Sequence, residues 1–156
     1  MVAGYTAFLF GQAEGRDLWQ SPVLFWHLQA QAVMVGSGVL LVLAAIVTPE
    51  SSSIVWLGWA LIAGVIAHLL ITAVEYGGKH PTRNASIAAH AITHGRYART
   101  FWLGSVGLSI LAALITIPLV LGGSIWFGVL AGLLVQPALR WHEKVFVMAG
   151  QDPPLS

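Results

Sequence analysis

Four long apolar runs, joined by short polar connections, constrain this chain more than any other feature. They cover about Pro22 to Val47, Ile54 to Val74, Phe101 to Leu121 and Ser124 to Met148. About 20 residues at about 1.5 Å each cross the ~30 Å hydrocarbon layer of a bilayer. A backbone in lipid must satisfy its own hydrogen bonds, so each run is expected to be a helix. Pro22 suits the first turn of the first run, and "TPESSS" offers three serines as N-caps for the second. "GG" at 122–123 closes the third run and "GQDPP" stops the fourth. The expected fold is all-α: a polytopic bundle of four transmembrane helices forming one domain over residues 1–156. Composition agrees. The chain is 57% hydrophobic and 8% charged, whereas a soluble domain carries about 25% charged residues. Its mean hydropathy is +0.80.

The opening "MVAGYTAFLFGQAEGRDLWQ" has an apolar stretch of only about nine residues, too short to span. It lacks the basic start and small-residue cleavage site of a signal peptide. A short N-terminal helix remnant or interfacial segment is expected there.

Charge placement predicts the topology. With four crossings, one side of the membrane receives residues 12–21, the 75–100 connection and the C-terminus. The other receives only "TPESSS" and "GG". Arg16, Lys79, Arg83, Arg96, Arg99, Arg140 and Lys144, all seven cations of the chain, fall on the first side. The positive-inside rule makes that side cytoplasmic, with the C-terminus there, in a bacterial or archaeal cell (inner) membrane. Within the 75–100 connection, Ile87, Ala88, Ala91 and Ile92 oppose Arg83, His90 and His94, and Gly95 suits a helix C′ position. The pattern predicts a short amphipathic helix over 83–94 lying on the cytoplasmic membrane surface. Tyr97, Phe101 and Trp102 follow as interfacial aromatics. Gly128 and Gly132 form a small-xxx-small pattern that permits close helix approach.

Ionisable groups inside the spans are costly and are functional candidates by default. They gather toward the cytoplasmic side: His27, Gln29 and Gln31 early in the first run, His68 and Glu75 late in the second, and Arg140, His142 and Glu143 late in the fourth. Plain structural readings exist for each. Arg140 and Lys144 can snorkel to headgroups, and Arg140–Glu143 can be a helix pair. Glu75 can mark the water boundary, and His68 can be a neutral histidine bonded to a neighbouring helix. The functional reading is a polar inlet for protons lined by His68, Glu75, Arg140, His142 and Glu143, with histidine suited to such a relay. His90 and His94 stand at i, i+4 without a third ligand at telling spacing, so a solvated face is expected. Axial haem ligation needs histidines on facing helices, a placement open to His27 and His68. Neither a metal nor a haem is expected, no catalytic residue is identified, and no phosphate-binding or nucleic-acid motif is present. With no cysteine in the chain, an iron–sulfur cluster must be held by other subunits.

Three stretches in order resemble one family. "GYTAFLFGQAEGRDLWQSPVLFWHLQAQAVMVGSG" is similar to the segment leading into the fifth helix of the NrfD/PsrC-like polysulfide reductase membrane subunits. "HGRYARTFWLGSVGLSILAALITIPL" and "VFVMAGQDPPLS" resemble that family's later FW-containing segment and its terminal signature. "HGRYA" and "SPVLFW" depart from the family's usual proline placement. The resemblance is to the C-terminal half, which leaves open a fragment or split gene product, with further helices in a missing half or separate chain, and a truncated member. It also implies a non-catalytic membrane subunit of a respiratory oxidoreductase complex that links the quinone pool to a ferredoxin-like iron–sulfur subunit and a molybdopterin catalytic subunit. Quinone would act in the assembled complex, with no quinone ligand carried onto this chain. Two readings outside redox chemistry compete: a small four-helix transporter or ion-pathway component, and a purely structural membrane anchor.

Overall fold

The structure, a computed structural model, describes residues 2–154, with side chains from Gly4 onward. Among these residues there are six α-helices and no strand: α1 (Val2–Gly11), α2 (Leu24–Val47), α3 (Ser51–Gly77), α4 (Arg83–Thr93), α5 (Leu108–Val120) and α6 (Ile125–Gln151). A 3-10 turn at Asp17–Gln20 precedes α2, and a π-helical segment, Thr100–Gly107, runs directly into α5.

Three helices among the described residues are long and apolar enough to cross a membrane: α2, α3 and the continuous Thr100–Val120. The four expected spans are thereby met by three. The fourth run does form one helix, α6, of 27 residues, but Gln136, Arg140, His142, Glu143 and Lys144 lower its hydropathy. The expected N-terminal remnant is the ten-residue α1, which packs on α2 through Phe8 and Phe25.

Local chemistry corrects several details. Glu50 takes the N-cap of α3 without a side-chain cap, and Ser51, Ser52 and Ser53 lie inside the first turn. Helix α4 is capped by Thr82, whose hydroxyl accepts from the Ala85 N–H at 3.1 Å. Its buried face is Ala85, Ala88, Ala89 and Ile92, while Ile87 is exposed. The helix therefore docks its alanines and Ile92 on α6 and the 3-10 turn. Small side chains allow that close seat. Gly95 follows the helix end without a left-handed backbone; a Cβ there would stand 2.8 Å from the Ala91 Cα, so lack of space explains the glycine.

Helices α2 and α6 cross at Gly38 and Gly132. A Cβ on Gly132 would collide with the Gly38 carbonyl oxygen, and one on Gly38 would stand 2.6 Å from a Val135 methyl. Lipid supplies no hydrophobic drive between helices, so close backbone approach through small residues holds such a crossing. Around it lies an aliphatic cluster of Met34, Leu41, Leu61, Val65, Ala112, Leu119, Ala131 and Val135. A second cluster at the other end is richer in aromatics and joins Leu18, Leu24, Tyr76, Ile92, Phe101, Val145 and Phe146.

The three family-like stretches meet at this second end. The Arg16 guanidinium donates to the carbonyls of Gln151 at 2.9 Å, Pro153 at 3.1 Å and Gly150 at 3.4 Å, closing the C-terminus of α6. Arg96 pairs with Asp152. The Thr82 hydroxyl donates to Asp17 at 2.6 Å, and the Asn84 amide donates to the Pro154 carbonyl at 3.2 Å. The charged connection thus folds into a polar clasp over the end of the bundle. Exposed tryptophans mark both ends: Trp26 and Trp102 near the clasp, Trp56, Trp59 and Trp126 opposite. Such belts belong at membrane–water interfaces.

Candidate functional site

Beneath the clasp, α2, α3 and α6 each turn one histidine inward. His27, His68 and His142 are 1%, 0% and 3% exposed. Their ring centroids stand 4.8 Å (His27–His68), 4.9 Å (His27–His142) and 4.6 Å (His68–His142) apart. One ligand atom from each lies within 4.8 Å of the others.

The α3 contribution follows from helical periodicity. His68, Thr72 and Glu75 recur at i, i+4 and i+7, so all three lie on one face, and all three are buried. The Nδ1–H of His27 donates to the Glu75 carboxylate at 2.9 Å. His27 Nε2 and His68 Nδ1 share a hydrogen bond at 2.8 Å whose donor depends on tautomer. The Thr72 hydroxyl stands 3.3 Å from the same His27 Nε2. Two buried atoms of this set, His68 Nε2 and Glu75 Oε1, have no hydrogen-bond partner among the described residues.

His142 is reached through the π-helical segment. Phe101, Ser105 and Ser109 are buried at spacings of four, which places them along one side of the continuous Thr100–Val120 helix. The Thr100–Gly107 segment carries i→i+5 turns, and π-turns concentrate at functional sites. The Ser105 hydroxyl consequently meets His142 Nδ1 at 3.1 Å. Tyr76 and Phe101 wall the ring with centroids 6.2 and 6.3 Å away.

Two openings approach the cluster from different directions. A cleft of about 450 Å³ among Asp17, Gln20, Ser21, Lys79 and His80 reaches inward to Glu75. A cavity of about 260 Å³ on the far side is walled by Phe10, Leu24, Leu28 and Phe146, with Thr6, Gln31, His27, His142 and Glu143 as its polar members.

Of the five residues suggested for an inlet, the fold brings three together at the cluster: His68, Glu75 and His142. Arg140 is exposed on the outer side of α6 and takes no part. Glu143 is exposed and lines the 260 Å³ cavity without bonding to the histidines; with Arg140 and Lys144 it also borders a separate surface groove. One turn of α6 presents His142 inward, so residues two positions before and one after it point away. His27, given only a passing role by the sequence, is the hub. The i, i+4, i+7 repeat of His68, Thr72 and Glu75 was readable; the convergence of three separate helices on His27 was not. His90 and His94 are both exposed, with rings stacked 5.4 Å apart on α4. No metal set was expected from the sequence, yet the three buried histidines form a donor group of that kind.

Neither a curated protein nor a solved structure matches this chain. The family described as "Polysulphide reductase, NrfD" matches residues 1–151, from α1 through the last turn of α6. That span takes in the histidine cluster, all the apolar helices and the clasp as far as Gln151. The chain therefore belongs to the NrfD family of multi-pass membrane proteins, the membrane subunits of respiratory oxidoreductases.

Proposed function

We propose that this chain is a membrane subunit of a quinone-linked oxidoreductase complex, working with an iron–sulfur partner and a molybdopterin catalytic subunit, and that it admits protons from the clasp side to a buried acceptor. Quinone is a substrate of the assembled complex in this reading, and no residue of the chain is assigned to it. Redox centres ligated by cysteine sit on partners, since the chain has none. The chain forms one transmembrane domain of four crossings: α6 is 27 residues long, about 40 Å, and packs along both α2 and α5. The clasp then faces the cytoplasm by the positive-inside rule.

One observation carries the proton reading. Glu75 lines a cleft that it shares with Asp17, Gln20, Lys79 and His80, and it is hydrogen-bonded to the buried His27. A carboxylate there costs several kcal/mol unless paired, so the Glu75–His27 pair holds a proton at a defined depth. Electrons arriving on a neighbouring redox centre can be balanced by a proton entering through this cleft. Arg140 and Glu143 stay outside the path. Neither the transporter nor the anchor reading uses the family match.

Glu75→Gln tests this. The amide keeps the volume and an acceptor for His27 but cannot carry the charge. In the assembled complex, reconstituted in liposomes, we expect proton uptake coupled to quinone-dependent turnover to fall at least about a hundredfold, the lower end of what a general acid–base group contributes. Uptake and turnover equal to wild type would remove the proton role. Failure to isolate any iron–sulfur partner or quinone-dependent activity with the wild-type chain would remove the oxidoreductase assignment itself.

A further inference from the structure

We infer that His27, His68 and His142 form a binding site for a divalent transition metal ion of the zinc type. This goes beyond the proton reading and does not rest on it.

The geometry supplies three imidazoles from three helices, every one buried. Three nitrogens at about 2.0–2.1 Å from a tetrahedral ion stand about 3.3 Å apart. Here His27 Nε2 and His68 Nδ1 are 2.8 Å apart, and the full set lies within 4.8 Å. Opening the first distance by roughly half an ångström and drawing His142 inward completes the set. Rotation of the rings about their side-chain torsions accomplishes that without moving a helix.

The surroundings fit a metal in a second way. A ligating histidine generally donates its other ring N–H to a carboxylate or another oxygen, which fixes ring and tautomer. His27 does so through Nδ1 to Glu75 at 2.9 Å, and His142 Nδ1 is held by the Ser105 hydroxyl at 3.1 Å. Both rings therefore have Nε2 available for the ion. Glu75 has no lysine or arginine partner among the described residues. A divalent ion on Nε2 of His27, across the ring from Glu75, supplies the positive charge that this buried carboxylate needs. In the ion-free arrangement His27 Nε2 must share a proton with His68. The ion takes the place of that proton.

Three histidine ligands leave a fourth tetrahedral position, and sites with three protein ligands generally leave it to water or a small ligand. His27 and His142 both line the 260 Å³ cavity, so the open position faces it. Imidazole nitrogens suit zinc, copper, nickel or iron over magnesium or calcium. With the ion on Nε2, His27 still presents Nδ1–H to Glu75, and the cleft still ends on that carboxylate.

The test uses the full-length chain purified in mild detergent from cells grown with added zinc. Elemental analysis should find about one zinc per chain, as a single three-histidine site requires. Replacement by cobalt should give the intense visible bands of a tetrahedral ion, a readout on the wild-type protein that no variant needs to fold for. His68→Asn and His142→Asn should each abolish both signals. The double variant His90→Ala/His94→Ala, which removes the exposed pair on α4, should keep them. Glu75→Gln should weaken zinc about 10- to 100-fold while leaving the stoichiometry at saturation unchanged. Wild-type protein with less than about a tenth of an ion per chain and no cobalt bands overturns the inference. Loss of the ion in the His90/His94 variant alone overturns it equally, by moving binding to the surface. If zinc is absent while Glu75→Gln still blocks proton uptake, the metal site falls and the proton reading stands; zinc bound with proton uptake untouched by that substitution has the reverse meaning.

Discussion

The two ends of the bundle solve the same problem in different ways. At the end opposite the clasp, α2, α3, α5 and α6 meet through aliphatic and small residues, with Met34, Leu41, Leu61, Ala112, Ala131 and Val135 almost wholly buried. At the clasp end the same helices enclose three histidines and Glu75 under an aromatic layer. Lipid rewards neither end with a hydrophobic drive between helices. The dry end is therefore held by close approach, as at Gly38 and Gly132. The wet end is held by hydrogen bonds that have no substitute in hydrocarbon. The difference teaches that the dry end acts as the frame. It fixes helix positions well enough for polar groups at the other end to meet at bonding distance.

This comparison can be broken or sharpened by substitution, taken from the largest expected effect. His27→Ala should cost about 3–5 kcal/mol, because it leaves Glu75 buried without its partner; equilibrium unfolding in mixed micelles measures it. A cost below that of an ordinary surface change would mean the polar end contributes nothing to holding the helices. Gly132→Leu should follow at about 1–3 kcal/mol, the usual range for overpacking. It should also separate α2 from α6 and lengthen the His27–His142 distance, which a crosslinking pair or spin labels on the two helices can read. An unchanged distance would show that the frame does not position the site.

Smaller effects belong to the clasp. Thr82→Ala removes the cap on α4 and should cost about 1 kcal/mol, seen as faster hydrogen exchange at Ala85 and Ser86 with the cluster undisturbed. The smallest belongs to the surface pair of Arg96 and Asp152. Asp152→Asn should leave the unfolding midpoint within experimental error of wild type, since exposed ion pairs contribute little and are screened by salt. A clear loss of stability there would mean that the clasp, and not the dry frame, holds this end of α6.

Much of the architecture was legible because lipid imposes simple rules. Apolar length marked α2, α3 and the Thr100–Val120 helix, and the "GG" stop is a left-handed Gly122 with φ of 91°. The helix over 83–94 was legible from its polar–apolar alternation, but its buried side was not. Ile87 reads as core and is exposed, because α4 docks through the side that carries Ala85, Ala88, Ala89 and Ile92. The π-turn had no signature in composition. It carries Phe101 and Ser105 against His142 of α6, a meeting that packing alone reveals.

The sequence by itself determined the solvent of this protein, the number and approximate limits of its helices, and the gathering of charge at one end, since each depends on residues near one another in the chain. Only the tertiary structure decided which polar residues meet. His27, His68 and His142 are separated by 41 and 74 positions in the numbering, and nothing local ties them together. Whether a histidine on a helix faces lipid, a neighbour or a metal ion depends on rotation about the helix axis, and that rotation is set by where glycines let two backbones touch.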